Sequence, residues 1–221
     1  MTKCNEFFKK AFSFWDKITK EEQDAIINNS TLEKFSAQKN IYDSSDCKGI
    51  LVVKSGLIRV YLLSPEGKEI TLYKLKPYEV SVLSASCILS NINFDIFIDA
   101  EEDSEVYIIN PYKYKEIKNK NILVESFTNS VINQSFSDAM WIMEQILFMS
   151  FDKRLAIFLL DESTLMKSDK LKVTHDYIAK NLGTAREVVS RMLKYFETEE
   201  IVKLSRGCIT IIDKDKLKSL L

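Results

Sequence analysis

At 221 residues the chain exceeds the usual size of one domain, so two domains of unequal length are the first expectation. Its 46% hydrophobic and 29% charged residues are those of a soluble globular protein, and the formal net charge of −1 is unevenly spread. No apolar run reaches the ~18 residues of a membrane span and the N-terminus lacks a signal-peptide layout, which excludes a membrane protein and predicts a cytoplasmic one.

Thr19-Lys20-Glu21-Glu22 has the form of a capping box ahead of Ala25, Ile26 and Ile27, and predicts a short helix that leads into the β region at about Leu32. Strand-like runs follow as far as Ile109. Turn-forming residues at 43–46, 64–67, 91–93 and 101–103 separate them, a punctuation that suggests a sandwich or barrel. Beyond Pro111 a helical period persists to about Met149. Ile132, Phe136, Ala139, Met143 and Ile146 recur there at spacings of four, three, four and three, a coiled-coil-like seam. Self-association along it is the economical reading; packing on the chain's own β domain is the alternative. Met140, Trp141, Phe148 and Met149 read as adaptable packing around that seam.

The most informative stretch is 173–212. Thr174 caps a helix whose inner face is Ile178, Ala179 and Leu182, and Gly183 supplies the turn that follows. Thr184-Ala185-Arg186-Glu187 reads as a second capping box, with Val188, Val189, Met192, Leu193 and Phe196 as the buried face of the helix it opens. Arg186, Glu187, Ser190, Arg191 and Lys194 project outward. Arginine donates two hydrogen bonds to guanine and glutamate accepts from cytosine in the major groove, whereas serine and lysine suit phosphate. Two alternating runs around Ser205-Arg206-Gly207 complete a two-stranded wing. Nine Lys or Arg stand against six Asp or Glu between residues 167 and 206, while the first 166 residues carry −5. A winged helix-turn-helix on DNA is the result, contacting it through Thr174, His175, Thr184, Arg186, Glu187, Ser190, Arg191, Lys194 and Arg206. Two readings stay open: Glu187 closing only its capping box, and Arg191 pairing with a carboxylate.

The pattern from Thr174 through Ile178-Ala179, Leu182-Gly183 and Arg186-Glu187 to Val189-Ser190-Arg191 resembles the signature of the CRP/FNR family of bacterial transcription regulators. Upstream, Gly49 to Leu63, Pro65 to Glu69 and Leu72 to Pro77 resemble that family's cyclic-nucleotide-binding-like roll, and 151–160 resembles the helix that opens its DNA-binding domain. The resemblance implies an α+β chain with an N-terminal β-roll at 1–118, a dimerisation helix at 119–150 and a winged helix-turn-helix at 151–221. It implies a homodimer on an inverted repeat of double-stranded DNA, with half-sites about one helical turn, ~34 Å, apart. RNA polymerase is a further expected partner, and the residues of the roll add a small apolar effector.

The roll departs from the family pattern where cyclic nucleotides bind. Leu83 stands at the ribose-binding glutamate, and Phe94-Asp95 replaces the cation of the phosphate-binding pair, so a cyclic phosphate meets repulsion there. Leu83, Cys87, Ile88, Phe94 and Phe97 are the candidate apolar effector pocket, or else plain core. Cys87 as a redox sensor is an alternative. The four cysteines, at 4, 47, 87 and 208, form no C-x-x-C pair, so no zinc site and no disulfide framework is expected, and the clustered N-terminal cysteines of an iron–sulfur sensor are missing. No phosphate loop, metal cluster or nucleophile elbow appears, so no metal, cofactor or catalytic residue is expected and the chain reads as a non-enzyme. A protein-interaction scaffold with a merely structural helix-turn-helix is the reading from a different class. Salt separates the two, because phosphate contacts weaken steeply as salt rises.

Overall fold

Ile50, Leu51, Val52 and Val53 are four consecutive apolar residues, and all four are buried in one strand, β3 (Ile50–Ser55). An antiparallel strand open to water on one side would alternate; this one does not because both faces of its sheet are covered. The computed structural model describes residues 2–44, 47–85 and 95–221. Contacts divide it into two units, Met1–Leu63 with Leu72–Ala139, and Ser64–Thr71 with Met140–Leu221.

In the first unit, α1 (Thr2–Ala11), a 3-10 turn (Trp15–Lys17) and α2 (Lys20–Asn28) precede the strands. These are β1 (Ser30–Phe35), β2 (Asn40–Tyr42), β3, β4 (Ile58–Leu63), β5 (Glu69–Leu75), β6 (Val80–Ser81), β7 (Phe97–Ala100) and β8 (Ser104–Ile109). They form two four-stranded sheets, ordered β1-β8-β3-β6 and β2-β7-β4-β5. Leu51, Val53, Val106 and Ile108 of the first sheet meet Ile58, Val60, Ile98 and Ala100 of the second, which is the core of the roll. On the other face, Ile50, Val52 and Ile109 pack against Phe8, Phe12, Phe14 and Trp15. Full burial of side chains this large contributes roughly 1.5–3 kcal/mol each. The Thr19–Glu22 capping box forms in both directions, at 2.8 and 3.2 Å. The helix α1 ahead of it has no counterpart in the sequence reading.

The helical stretch after Pro111 is two helices, α3 (Pro111–Lys120) and α4 (Ile122–Phe148). Asn121 makes the break, its side chain accepting from Leu123 N at 3.0 Å while its amide group donates to Glu22. Along α4, Ile132 packs against the N-terminal aromatic core and Ala139 against the roll core. Phe136, Met143 and Ile146 are exposed. The five residues read as one seam therefore divide between a face that covers the roll and a face left exposed among the described residues.

The second unit holds α5 (Phe151–Met166), β9 (Lys170–Leu171), α6 (His175–Leu182), α7 (Arg186–Thr198), β10 (Val202–Ser205), β11 (Cys208–Ile211) and α8 (Lys214–Ser219). Leu155, Leu159, Ile178, Val189, Leu193, Phe196, Ile209 and Leu217 form its core. Among the described residues no helix is long and apolar enough to cross a membrane.

Candidate nucleic-acid interface

Two helices meet at Gly183, which adopts the left-handed conformation (φ +62°) that ends α6 and lets the chain turn into α7. Thr174 caps α6, its hydroxyl accepting from Tyr177 N at 3.1 Å. Ile178 and Ala179 turn inward onto Val189 and Leu193 of α7, as the spacing predicts. At the far end of α6, Arg154 from α5 donates to the Leu182 carbonyl at 3.1 Å, and burial lowers the proton affinity of that guanidinium.

The start of α7 differs from expectation. Its N-cap is Ala185, not Thr184, and no side chain caps it. Thr184 N donates instead to the Ala179 carbonyl, still closing the turn after α6, so helical geometry begins one residue too late for the capping box. Glu187 is thereby left exposed with no hydrogen bond or ion pair among the described residues, as is Arg191, so neither of their competing roles is realised there. Both lie on the side of α7 opposite Val189, Leu193 and Phe196.

Arg186 forms a 3.7 Å ion pair with Asp176 of α6, both side chains 62% exposed. Ser190 Oγ lies 2.7 Å from His175 Nδ1. Lys194 pairs with Glu197, whose other oxygen accepts from Leu204 N of the wing at 3.0 Å. Those contacts hold the Glu197 carboxyl below its ordinary range, the Lys194 ammonium being the main cause. Asp176 and Glu197 were missed in the sequence; only the i,i+3 spacing of Lys194 and Glu197 announces either.

The wing is β10 and β11, paired from Val202↔Ile211 to Ser205↔Cys208 with Arg206 and Gly207 as its two-residue tip. Gly207 has φ +68°, as such turns require, and Arg206 is exposed there. β9 adds a third strand on the far side of β11. Thr174, His175, Arg186, Glu187, Ser190, Arg191 and Lys194 are thus carried on the paired helices α6 and α7, with Thr184 in the turn between them and Arg206 on the hairpin.

Of the candidate effector residues, only Leu83 and Phe97 lie among the described residues. Leu83 is buried in the roll core, whereas Phe97 points to the opposite face of β7 from Ile98 and packs on Tyr61, ring centroids 5.6 Å apart. Cys87, Ile88 and Phe94 lie outside the described residues. Cys47 is disulfide-bonded, contrary to expectation, while Cys4 and Cys208 are free thiols.

Residues 153–220 match the Crp-like helix-turn-helix domain. Over 95% of this chain and 98% of the other, the fold superposes with a TM-score of 0.91 and 43% identity on a CRP/FNR-family transcriptional regulator from Eubacterium rectale. CLP of Xanthomonas campestris, a c-di-GMP-responsive global regulator, shares 14% identity and a TM-score of 0.75 over 88% of this chain and all 100% of its own. A CooA mutant from Carboxydothermus hydrogenoformans shares 23% and 0.67 over 88% of each chain. These last two matches show the common fold. No curated protein matches the sequence.

Proposed function

This chain belongs to the CRP/FNR family of transcription regulators, and from that premise we propose that it reads an inverted DNA repeat as a homodimer, controlled by a signal other than a cyclic nucleotide. The observation that carries the reading is the pair Glu187 and Arg191, exposed one turn apart on α7 and without a side-chain partner among the described residues. A carboxylate and a guanidinium so placed complement the cytosine amino group and the guanine O6 and N7 edge in the major groove. Arg206 on the wing and the N-terminus of α6 supply phosphate contacts that set orientation without sequence information.

Exclusion of cyclic nucleotides is supported by Leu83, a buried apolar side chain where a ribose-binding carboxylate is needed. The melting temperature of the protein is therefore expected to stay constant in millimolar cyclic AMP or cyclic GMP; a saturable rise would overturn this part. The proposed signal is a small apolar effector held by the roll, shifting the population between two arrangements. RNA polymerase is the further partner that a promoter-bound dimer meets.

A thiol-based signal is favoured by one observation, the disulfide at Cys47 beside two free cysteines. One experiment addresses both readings: selection of duplexes from a random library by the purified protein, run in reductant and in mild oxidant. Enrichment of an inverted repeat supports sequence-specific regulation, and enrichment in one redox condition alone supports the thiol signal. Binding that is indifferent to both sequence and salt would overturn the DNA reading.

A further inference from the structure

Ser190 sits on α7 between Glu187 and Arg191, and its hydroxyl is held by the sole histidine of the chain, 2.7 Å away at the first position of α6. Both residues are half-buried. A serine hydroxyl has one hydrogen to give and two lone pairs to offer, whereas a neutral imidazole has one N–H and one bare nitrogen. The direction of the shared bond therefore decides what Ser190 presents to the groove. His175 opens α6, whose first backbone N–H groups make this end a place for phosphate. A phosphate oxygen brought beside the ring would be an acceptor and would keep the ring proton on Nε2. Nδ1 would then be bare, the Ser190 hydrogen would go to it, and Oγ would show the DNA lone pairs alone. The charged neighbours do not compete for this bond: Asp176 is engaged with Arg186 at 3.7 Å, and Lys194 with Glu197.

We propose that His175 is a positioning residue that makes Ser190 an obligate hydrogen-bond acceptor, so that Ser190 selects the exocyclic amino group of adenine or cytosine. The inference rests on the reading that α7 lies in the major groove. In that groove the amino groups N6 of adenine and N4 of cytosine are the donors, while guanine O6 and N7, adenine N7 and thymine O4 are acceptors. Arg186 and Arg191 have only hydrogens to give and take the acceptors. Glu187 and Ser190 then form the accepting part of the same face, and the helix discriminates both kinds of base edge.

The test uses the full chain on the inverted repeat recovered by selection, with single bases replaced by analogues. Purine in place of adenine, or pyrimidin-2-one in place of cytosine, deletes one amino group; 7-deaza purines delete one N7 acceptor. One amino deletion per half-site is expected to weaken the wild-type protein roughly tenfold and to leave Ser190→Ala unaffected. His175→Phe frees the Ser190 hydrogen, leaving the hydroxyl able to donate as well as accept, and is expected to narrow that discrimination while still binding the repeat. His175→Asn, whose Oδ1 accepts from Ser190, is expected to restore it. A histidine that merely stabilised the fold would weaken binding to every analogue equally. His175→Leu replaces the phenylalanine variant if that one melts below wild type. The proposal is overturned if His175→Phe keeps the discrimination, or if Ser190→Ala cancels sensitivity to an N7 deletion instead. Failure to recover any repeat would overturn the DNA reading itself, whereas a repeat without an amino-dependent position would overturn only this inference.

Discussion

Arg186 and Arg191 carry the same chemical group but stand in different surroundings. The Arg186–Asp176 pair is exposed on both sides, so water screens it and little is lost when the guanidinium leaves it for DNA. Arg191 has no such partner among the described residues. Arg191→Ala is expected to weaken specific binding by ~1–3 kcal/mol and to relax preference at one G·C pair, read by titration against single-base variants of the repeat. Arg206 sits on the wing tip away from the helix face, where a phosphate is the fitting partner. Arg206→Ala should weaken all sequences alike and lower the salt slope by about 1; unequal losses among base variants would make it a base reader. These outward residues are legible in the sequence because the periodicity of one helix fixes its outer face. The freedom of Glu187 is not, since a Thr-x-x-Glu string specifies a capping box only if the backbone enters the helix at the threonine. Here it enters one residue later.

Among the elements, the α6–α7 junction depends on Gly183. An alanine there would have to adopt an unfavourable left-handed conformation, φ +62°. Gly183→Ala should cost about 1–2 kcal/mol of stability from the backbone, measured by denaturant unfolding; an unchanged midpoint would show that the turn relaxes. A second junction ties α5 to α8 through Asp169, which accepts from Ser163 at 2.7 Å and pairs with Lys214. The Lys214 ammonium, with the Ser163 hydroxyl, holds the Asp169 carboxyl below its ordinary range. A carboxyl depressed in the folded state stabilises it above the ordinary carboxylate range, and this contribution is lost as pH falls through the depressed value. Asp169→Asn should therefore melt lower near neutrality and lose less on acidification, with the two melting curves converging at low pH. The helix-turn-helix is legible because its determinants, Thr174, Ala179 and Gly183, lie within ten residues of one another. Helix α1 is not, because Phe8 and Phe12 are inside only by virtue of Trp15, Phe127 and Tyr107, and most of that packing is remote in sequence.

For the whole molecule, the question is what covers α4. Phe136, Met140, Met143 and Leu147 are all exposed and follow one another at spacings of four, three and four. That is the a/d repeat of a two-helix seam, and it differs from the stripe read in the sequence because the roll already covers the flank bearing Ile132 and Ala139. Periodicity alone distinguishes apolar from polar faces of a helix; it does not say which of two adjacent apolar faces another part of the chain takes. A contiguous exposed stripe of large apolar side chains marks an interaction surface. A second copy fits it, since identical helices present identical knobs. Met143→Glu would then place two carboxylates face to face at the middle of the seam and is expected to give monomers in sedimentation. The monomer keeps α6, α7 and the wing, so its affinity for a single half-site should equal that of the wild type. Its affinity for the full repeat should fall by ~10²–10⁴, the gain that linking two binding events supplies. Loss of half-site binding as well would mean that the substitution damaged the fold, and a dimer that persists at micromolar concentration would place the interface elsewhere.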